Sequence, residues 1–226
     1  MGCVVGGRTV IILQARLASS RLPAKALASV GGASILKRCL HRLWKSGVGP
    51  VLLATTERPE DDSLVVVARR LGVDVYRGPT DDVLTRFVGA AQRAGAEIIV
   101  RATADNPAVD IGAPGRVVRA LCEARSDYSC EEGLPCGAGV EAITAASLIR
   151  ASALATLAED REHVTTYLKR HPQLFRLERR LAPPGLSRGD LRLTIDTEAD
   201  LRFMRQLFSA VRTAEPSLAQ LIAAAT

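Results

Sequence analysis

Aromatic residues are scarce in this 226-residue chain, at 4% of positions with a single tryptophan. Proteins that read unpaired bases need a platform of rings on which to stack them, so the net charge of +6 does not by itself imply DNA or RNA. No zinc-finger or RNP-like string is present, and the arginines are spread along the chain rather than gathered. Cysteines are few and scattered: Cys3, Cys39, Cys122, Cys130 and Cys136 form no C-x-x-C pair, and an odd number leaves at least one unpaired in any intrachain scheme. Free thiols in a reducing compartment are therefore expected. No apolar run approaches the length of a membrane span, and residues 1–8 lack the charged start and apolar core of a signal peptide. The expected location is cytoplasmic, with neither nucleic acid nor membrane as partner. Also missing are G-x-x-x-x-G-K-[ST] and G-x-G-x-x-G, so any phosphate cradle here is not one of the glycine-rich kinds.

What is present begins with Thr9-Val10-Ile11-Ile12-Leu13, a β-branched run without polar alternation. Such a run suits a parallel strand covered on both faces. Ligands of open α/β sheets bind beyond the carboxyl ends of the strands, and the residues that follow are Gln14-Ala15-Arg16-Leu17-Ala18-Ser19-Ser20-Arg21-Leu22-Pro23-Ala24-Lys25. Arg16 and Arg21 bring planar donor forks, Lys25 an exposed point charge, and Ser19 and Ser20 short hydroxyls. All suit polyphosphate oxygens, although the same charges also describe a merely solvated loop.

A length of 226 residues with 47% hydrophobic content is enough for one α/β domain. Apolar spacing over Ser34–Ser46 predicts an amphipathic helix. Val51–Thr55 reads as a strand, Pro59 and its acidic followers as a helix start, Val73–Tyr76 as a strand, Asp81–Ala94 as a helix and Ala96–Val100 as a fourth strand. Regular alternation of this kind implies a doubly wound, mostly parallel sheet. A helix over Ile111–Arg125 precedes a glycine-broken stretch, Asp127–Val140, that reads as a substrate-side loop. One helix is expected from Asp160 to about Arg170. Leu174–Leu181 alternates like a half-exposed strand of an arm, and helices end the chain.

Two acidic residues stand at predicted strand ends. Asp105, in Arg101-Ala102-Thr103-Ala104-Asp105-Asn106-Pro107, faces the same crevice as the basic loop, where a carboxylate near a triphosphate calls for a cation such as Mg²⁺ between them. Asp196, in Leu191-Arg192-Leu193-Thr194-Ile195-Asp196-Thr197, precedes a helix that Thr197 and Asp200 can cap. Each is equally explained by turn formation alone.

The string Q-A-R-x-x-S-S-R-L-P-x-K-x-L from Gln14 to Leu27, with Gly31-Gly32 behind it, resembles the opening motif of the SpsF-type cytidylyltransferases, relatives of the CMP-KDO and CMP-sialate synthetases. Thr194-Ile195-Asp196-Thr197 resembles the family's closing motif, and Arg161-Glu162-His163-Val164-Thr165 an intermediate one. The resemblance spans about Val10 to Leu201 and implies the nucleotide-diphospho-sugar transferase (GT-A-like) fold as a single domain over 1–226, with a small β-containing dimerisation arm at about 127–185. It implies a homodimer that transfers CMP from CTP to a sugar or small acidic acceptor and releases pyrophosphate. Gln14, Ala15, Arg16, Ser19, Ser20, Arg21 and Lys25 would hold the nucleotide, while Thr55, Arg77 and Thr103, at neighbouring predicted strand ends, are candidates for the base and ribose. Lys25, Asp105 and Asp196 would be catalytic, the two aspartates holding Mg²⁺. Arg101, Glu141, Glu162 and His163 would face the acceptor. The chain departs from the family pattern at Ala104, Asn106, Gly139 and Thr166. One rival reading is a nucleotidyltransferase loading a sugar 1-phosphate with another NTP, which would normally open with a glycine-rich loop. A glycosyltransferase would place Asp-x-Asp where Asp105-Asn106-Pro107 stands. A non-catalytic nucleotide-binding regulator would have no need of both aspartates.

Overall fold

The computed structural model describes residues 7–19 and 21–225, so Ser20, expected in the phosphate loop, and Cys3 lie outside the described residues. The elements in order are β1 (Thr9–Gln14), β2 (Ser29–Val30), β3 (Ala33–Ser34), α1 (Ile35–Lys45), β4 (Val51–Thr56), α2 (Asp62–Arg70), β5 (Asp74–Gly78), α3 (Val83–Ala94), β6 (Ile98–Thr103) and α4 (Ala113–Ala124). They continue with β7 (Tyr128–Glu132), β8 (Glu141–Thr144), α5 (Ala145–Leu154), α6 (Ala158–Glu162), α7 (Thr166–Arg170), β9 (Leu177–Leu181), α8 (Glu198–Ala210) and α9 (Leu218–Ala224). Seven strands make one sheet in the order β5-β4-β1-β6-β8-β7-β9. β8 alone runs against its neighbours.

β1 shows why the sheet is buried on both sides. Successive side chains of a strand point to opposite faces, and here Ile11 and Leu13 enter one apolar cluster with α1, α2, α4 and α8, while Val10 and Ile12 enter another with α3 and α5. With no polar alternation the strand satisfies both layers at once, which is the doubly wound arrangement expected. Register then lines up the strand ends. Gln14 lies opposite both Ala54 and Thr103, so the loops after β1, β4 and β6 open on one common edge.

Departures from the sequence reading cluster in the second half. Asp127–Val140 is not all loop, because its first part forms β7, whose backbone pairs with β8 and β9; a short strand that carries Ser129, Cys130, Glu131 and Glu132 has no apolar pattern to announce it. The helix expected from Asp160 to Arg170 is broken into α6 and α7 at Val164, whose φ of 25° no continuous helix accommodates. Helix α5 was not anticipated at all. It is capped by Thr144, which accepts from Ser147 N. Of the expected Leu174–Leu181 strand, Leu177–Leu181 forms β9 and joins the main sheet as its edge, parallel to β7. The capping box of Thr197 and Asp200 forms as the sequence suggests.

Candidate active site

The loop after β1 folds back on itself. Ala24 N donates to Leu17 O at 3.1 Å, with Ala24 held at a φ of 56°, and Leu17 N donates to Asp61 Oδ1 at 2.7 Å. Asp61 is buried and also receives the Thr56 hydroxyl. Its carboxylate thus ties the cationic loop to the end of β4, a role the sequence hid inside a run that reads as a helix start. Lys25 is brought inward by the short 3-10 turn Lys25–Leu27.

There Lys25 Nζ donates to Asp196 Oδ1 at 3.0 Å, Asp105 Oδ2 at 3.3 Å and Ile195 O at 2.7 Å. Only 14% of its side chain is exposed, so the exposed loop cation of the sequence reading is in fact a clamp between two carboxylates 91 positions apart in the chain, at Asp105 and Asp196. Arg21 reaches Asp196 Oδ1 at 3.1 Å and Arg192 reaches its Oδ2 at 2.5 Å. Partial burial pushes the Asp196 carboxyl up, but Lys25, Arg192 and Arg21 outweigh it and hold the group below the usual carboxylate range. Asp105 is oriented by the Thr103 hydroxyl, 2.5 Å from its Oδ1, and Asn106 Nδ2 donates to the same hydroxyl at 2.8 Å. The turn that Ala104 and Asn106 make different from the family pattern therefore still presents its aspartate.

These groups surround a cavity of about 400 Å³ at the carboxyl edge of β1 and β6. Of the sequence candidates, Gln14, Ala15, Arg16, Ser19, Arg21, Lys25, Thr103, Asp105 and Asp196 line it. So do Arg101, Glu162 and His163, and Arg16 reaches Glu162 at 3.5 Å across the mouth. Two candidates are elsewhere. Thr55 is fully buried in β4, outside the cavity wall, and Arg77 is spent on Thr56 O, Arg58 O and Asp62, where it pins the β4–α2 loop. Both stand at strand ends, and neither side chain lines the cavity.

Arg86 was missed. It stands in the wall on α3 only 1% exposed, with Nη1 on Pro79 O at 2.5 Å and Nε without a hydrogen-bond partner among the described residues. Burial lowers its guanidinium pKa and Arg16 lowers it further. Gln14 Oε1 is likewise buried and has no hydrogen-bond partner among the described residues. Orphaned buried polar atoms in a cavity wall are uncommon enough to require a partner. The sequence signal was a helical arginine on the apolar face of α3.

A second cavity of about 330 Å³ adjoins the first and shares Arg101 and Thr103 with it. Glu141 lies in its wall, but both its oxygens are taken. They accept from Arg101 at 2.8 Å, Tyr128 at 2.6 Å, Lys169 at 2.5 Å and Thr165 at 3.2 Å. The antiparallel register sets Arg101 directly opposite Glu141. Burial pushes this carboxyl up, yet Arg101 and Lys169 overcome it and bring its pKa down to about 2. Glu141 thus holds two cations in place.

Two carboxylates that converge on one cation give the oxygen donors Mg²⁺ prefers, with its remaining positions left for phosphate and water. Asp105 and Asp196 would fit such an ion in the place of the Lys25 ammonium; no group of three or more His, Cys, Asp or Glu able to hold a metal ion is found among the described residues.

A doubly wound sheet carrying a cationic loop and a carboxylate pair at its carboxyl edge suits a nucleotidyltransferase. The family model described as Cytidylyltransferase matches residues 10–222, and the chain belongs to that family. It is 33% identical over 205 residues to the spore coat polysaccharide biosynthesis protein SpsF of Bacillus subtilis, covering 88% of this chain and 85% of that protein. An uncharacterised protein of Methanocaldococcus jannaschii is 37% identical over 197 residues, covering 87% and 81%. Among solved structures, a cytidylyltransferase from Leptospira borgpetersenii superposes with a TM-score of 0.89 at 29% identity, over 96% of this chain and 93% of that one. A CMP:2-keto-3-deoxy-manno-octonic acid synthetase complexed with CTP shares the fold, with a TM-score of 0.69 at 16% identity over 89% and 98%. No described helix is long and apolar enough to cross a membrane.

Proposed function

We propose that the chain transfers CMP from CTP to a small acceptor bearing an oxygen nucleophile, with pyrophosphate as leaving group. The observation that carries this reading is the Lys25 clamp on Asp105 and Asp196, set at the floor of a cavity whose rim is Arg16, Ser19 and Arg21. The rim cations neutralise the triphosphate and the leaving pyrophosphate, and catalysis comes from positioning and charge compensation. Mg²⁺ held by Asp105 and Asp196 would supply charge neutralisation at the reacting phosphate. The unpartnered Gln14 Oε1 and Arg86 Nε–H offer an acceptor and a donor, which matches the amino donor and carbonyl acceptor that cytosine presents together. The acceptor occupies the second cavity, where Arg101 and Lys169 stand beside Tyr128 and Asn106. A sugar or small acid fits cations already oriented by Glu141. The reading includes a homodimer through about residues 127–185, where β9 leaves an open sheet edge; light scattering at micromolar concentration tests it, a monomer counting against it.

The enzymatic test is pyrophosphate release with each of the four NTPs, with and without Mg²⁺, against a panel of acidic sugars and small phosphonates. Turnover with CTP that requires Mg²⁺ is expected. CTP should also raise the melting temperature more than the other three in the presence of Mg²⁺, because a specific ligand stabilises the folded state by mass action. Equal shifts with all four would remove the cytidine assignment.

A further inference from the structure

A cluster of charge that shares no wall residue with the catalytic cavity has no part in the reaction above. Helix α1 carries Lys37, Arg38, His41, Arg42 and Lys45 and no acidic residue. At 3.6 residues per turn these positions form one stripe, and that stripe walls a cavity of about 240 Å³ closed by the Gly31-Gly32 turn and by Ala214-Glu215. Charge runs on helices are usually solvated, but two of these arginines are not. Arg38 is spent on Val30 O, Gly31 O and Ala214 O. Arg42 is only 3% exposed; its Nε and Nη1 reach Val109 O at 2.6 Å and Pro216 O at 2.7 Å, while its buried Nη2 has no hydrogen-bond partner among the described residues. The single carboxylate in the wall, Glu215, is shared by Lys45 and by His41 at 3.0 Å. Four permanent cations therefore stand against one carboxylate in the wall, while a second, Asp110, acts on Arg42 from outside it. The His41 imidazole registers the excess: burial lowers its pKa first, and Lys45, Arg38, Lys37 and Arg42 all lower it further.

We propose that this cavity is a second anion site, distinct from the catalytic one, that takes a compact inorganic phosphate-class anion. The wall offers cationic donors on several sides, and apart from the His41 ring it has no aromatic surface on which a nucleotide base would stack. Its volume suits phosphate or pyrophosphate rather than a nucleotide. The proposal is independent of which nucleotide the enzyme uses.

The test is a titration with inorganic phosphate at constant ionic strength, followed by amide ¹H–¹⁵N NMR. Saturable shifts are expected at Gly31, Gly32, along α1 from Lys37 to Lys45, and at Glu215. They should persist in Arg21→Ala, which removes a cation of the catalytic loop. The double variant Lys37→Gln/Lys45→Gln alters only exposed side chains and leaves Arg38 and Arg42 in their packing; it should weaken the α1 response about tenfold, with an otherwise unchanged spectrum as the check on folding. Pyrophosphate in a parallel titration identifies which of the two anions is preferred, and saturable binding of either supports the site. Shifts confined to the catalytic loop, α1 shifts reproduced by chloride at matched ionic strength, or an α1 response unaltered in the double variant would each overturn the assignment.

Discussion

Replacing Glu141 by glutamine tests whether this residue is the electrostatic keystone of the second cavity. The wild-type carboxylate compensates Arg101 and Lys169 and accepts from Tyr128 and Thr165. Its pKa is lowered from 4.5 to about 2 by those charges acting against burial, and a shift of that size corresponds to roughly 3 kcal/mol of folding stability. The sign follows from the direction. A carboxyl whose folded pKa lies below its unfolded one stabilises the native state at any pH above the unfolded value, and that contribution is lost as pH falls from 4.5 towards about 2. The substituted amide is isosteric and still accepts from Tyr128, so the variant folds, but it leaves two cations without their counter-charge. At neutral pH, in the absence of any ligand, Glu141→Gln should lower stability by roughly 3 kcal/mol, or about 6–12 °C in melting temperature for a chain of this size. Differential scanning calorimetry and urea titration across pH 2–7 measure both quantities. The variant should also lose the steep part of the wild-type acid limb. A neutral-pH melting temperature within about 2 °C of wild type, or an acid limb identical to wild type, would refute the argument and return Glu141 to a direct role at the acceptor.

Asp105→Asn and Asp196→Asn should each lower pyrophosphate release by about two to four orders of magnitude, with the double variant barely worse than either, since both serve one interaction; near-normal turnover in either single variant removes that residue from the site. Lys25→Ala should weaken CTP binding and, because Lys25 also separates two carboxylates, reduce stability by roughly 1–3 kcal/mol in urea unfolding; a chain as stable as wild type would mean that the clamp is not part of the folded ground state. Gly137 sits at a φ of 91°, and an added Cβ would come within 2.8 Å of Asn106 Oδ1 and of Thr194 N. Gly137→Ala should therefore destabilise by about 1–3 kcal/mol and reduce turnover by shifting both aspartate-bearing segments, whereas unchanged melting and kinetics would show that the two segments move freely past residue 137.

The sheet was legible because its strands must be apolar on both faces. Thr9–Gln14 and Val51–Thr56 carry that requirement in their composition, and the turn and capping residues between them mark the helices. The cationic loop was equally plain, since Arg16, Arg21 and Lys25 are local in sequence. What sequence could not specify were interactions whose partners lie far apart along the chain. Lys25 reads as a surface charge until the fold brings Asp105 and Asp196 to it, Glu141 reads as an acidic group facing substrate until Arg101 and Lys169 close on it, and Arg86 reads as a helix arginine until α3 turns it into the cavity. β7 escaped for a related reason: Ser129 and Cys130 are fixed in a strand by β8 and β9 on either side, not by any preference of their own. Local propensity and apolar period determined the elements and the edge on which the candidate site lies; tertiary structure alone decided which charges on that edge neutralise one another and which do not, because Coulombic pairing depends on distance in space and burial, neither of which is written in sequence separation.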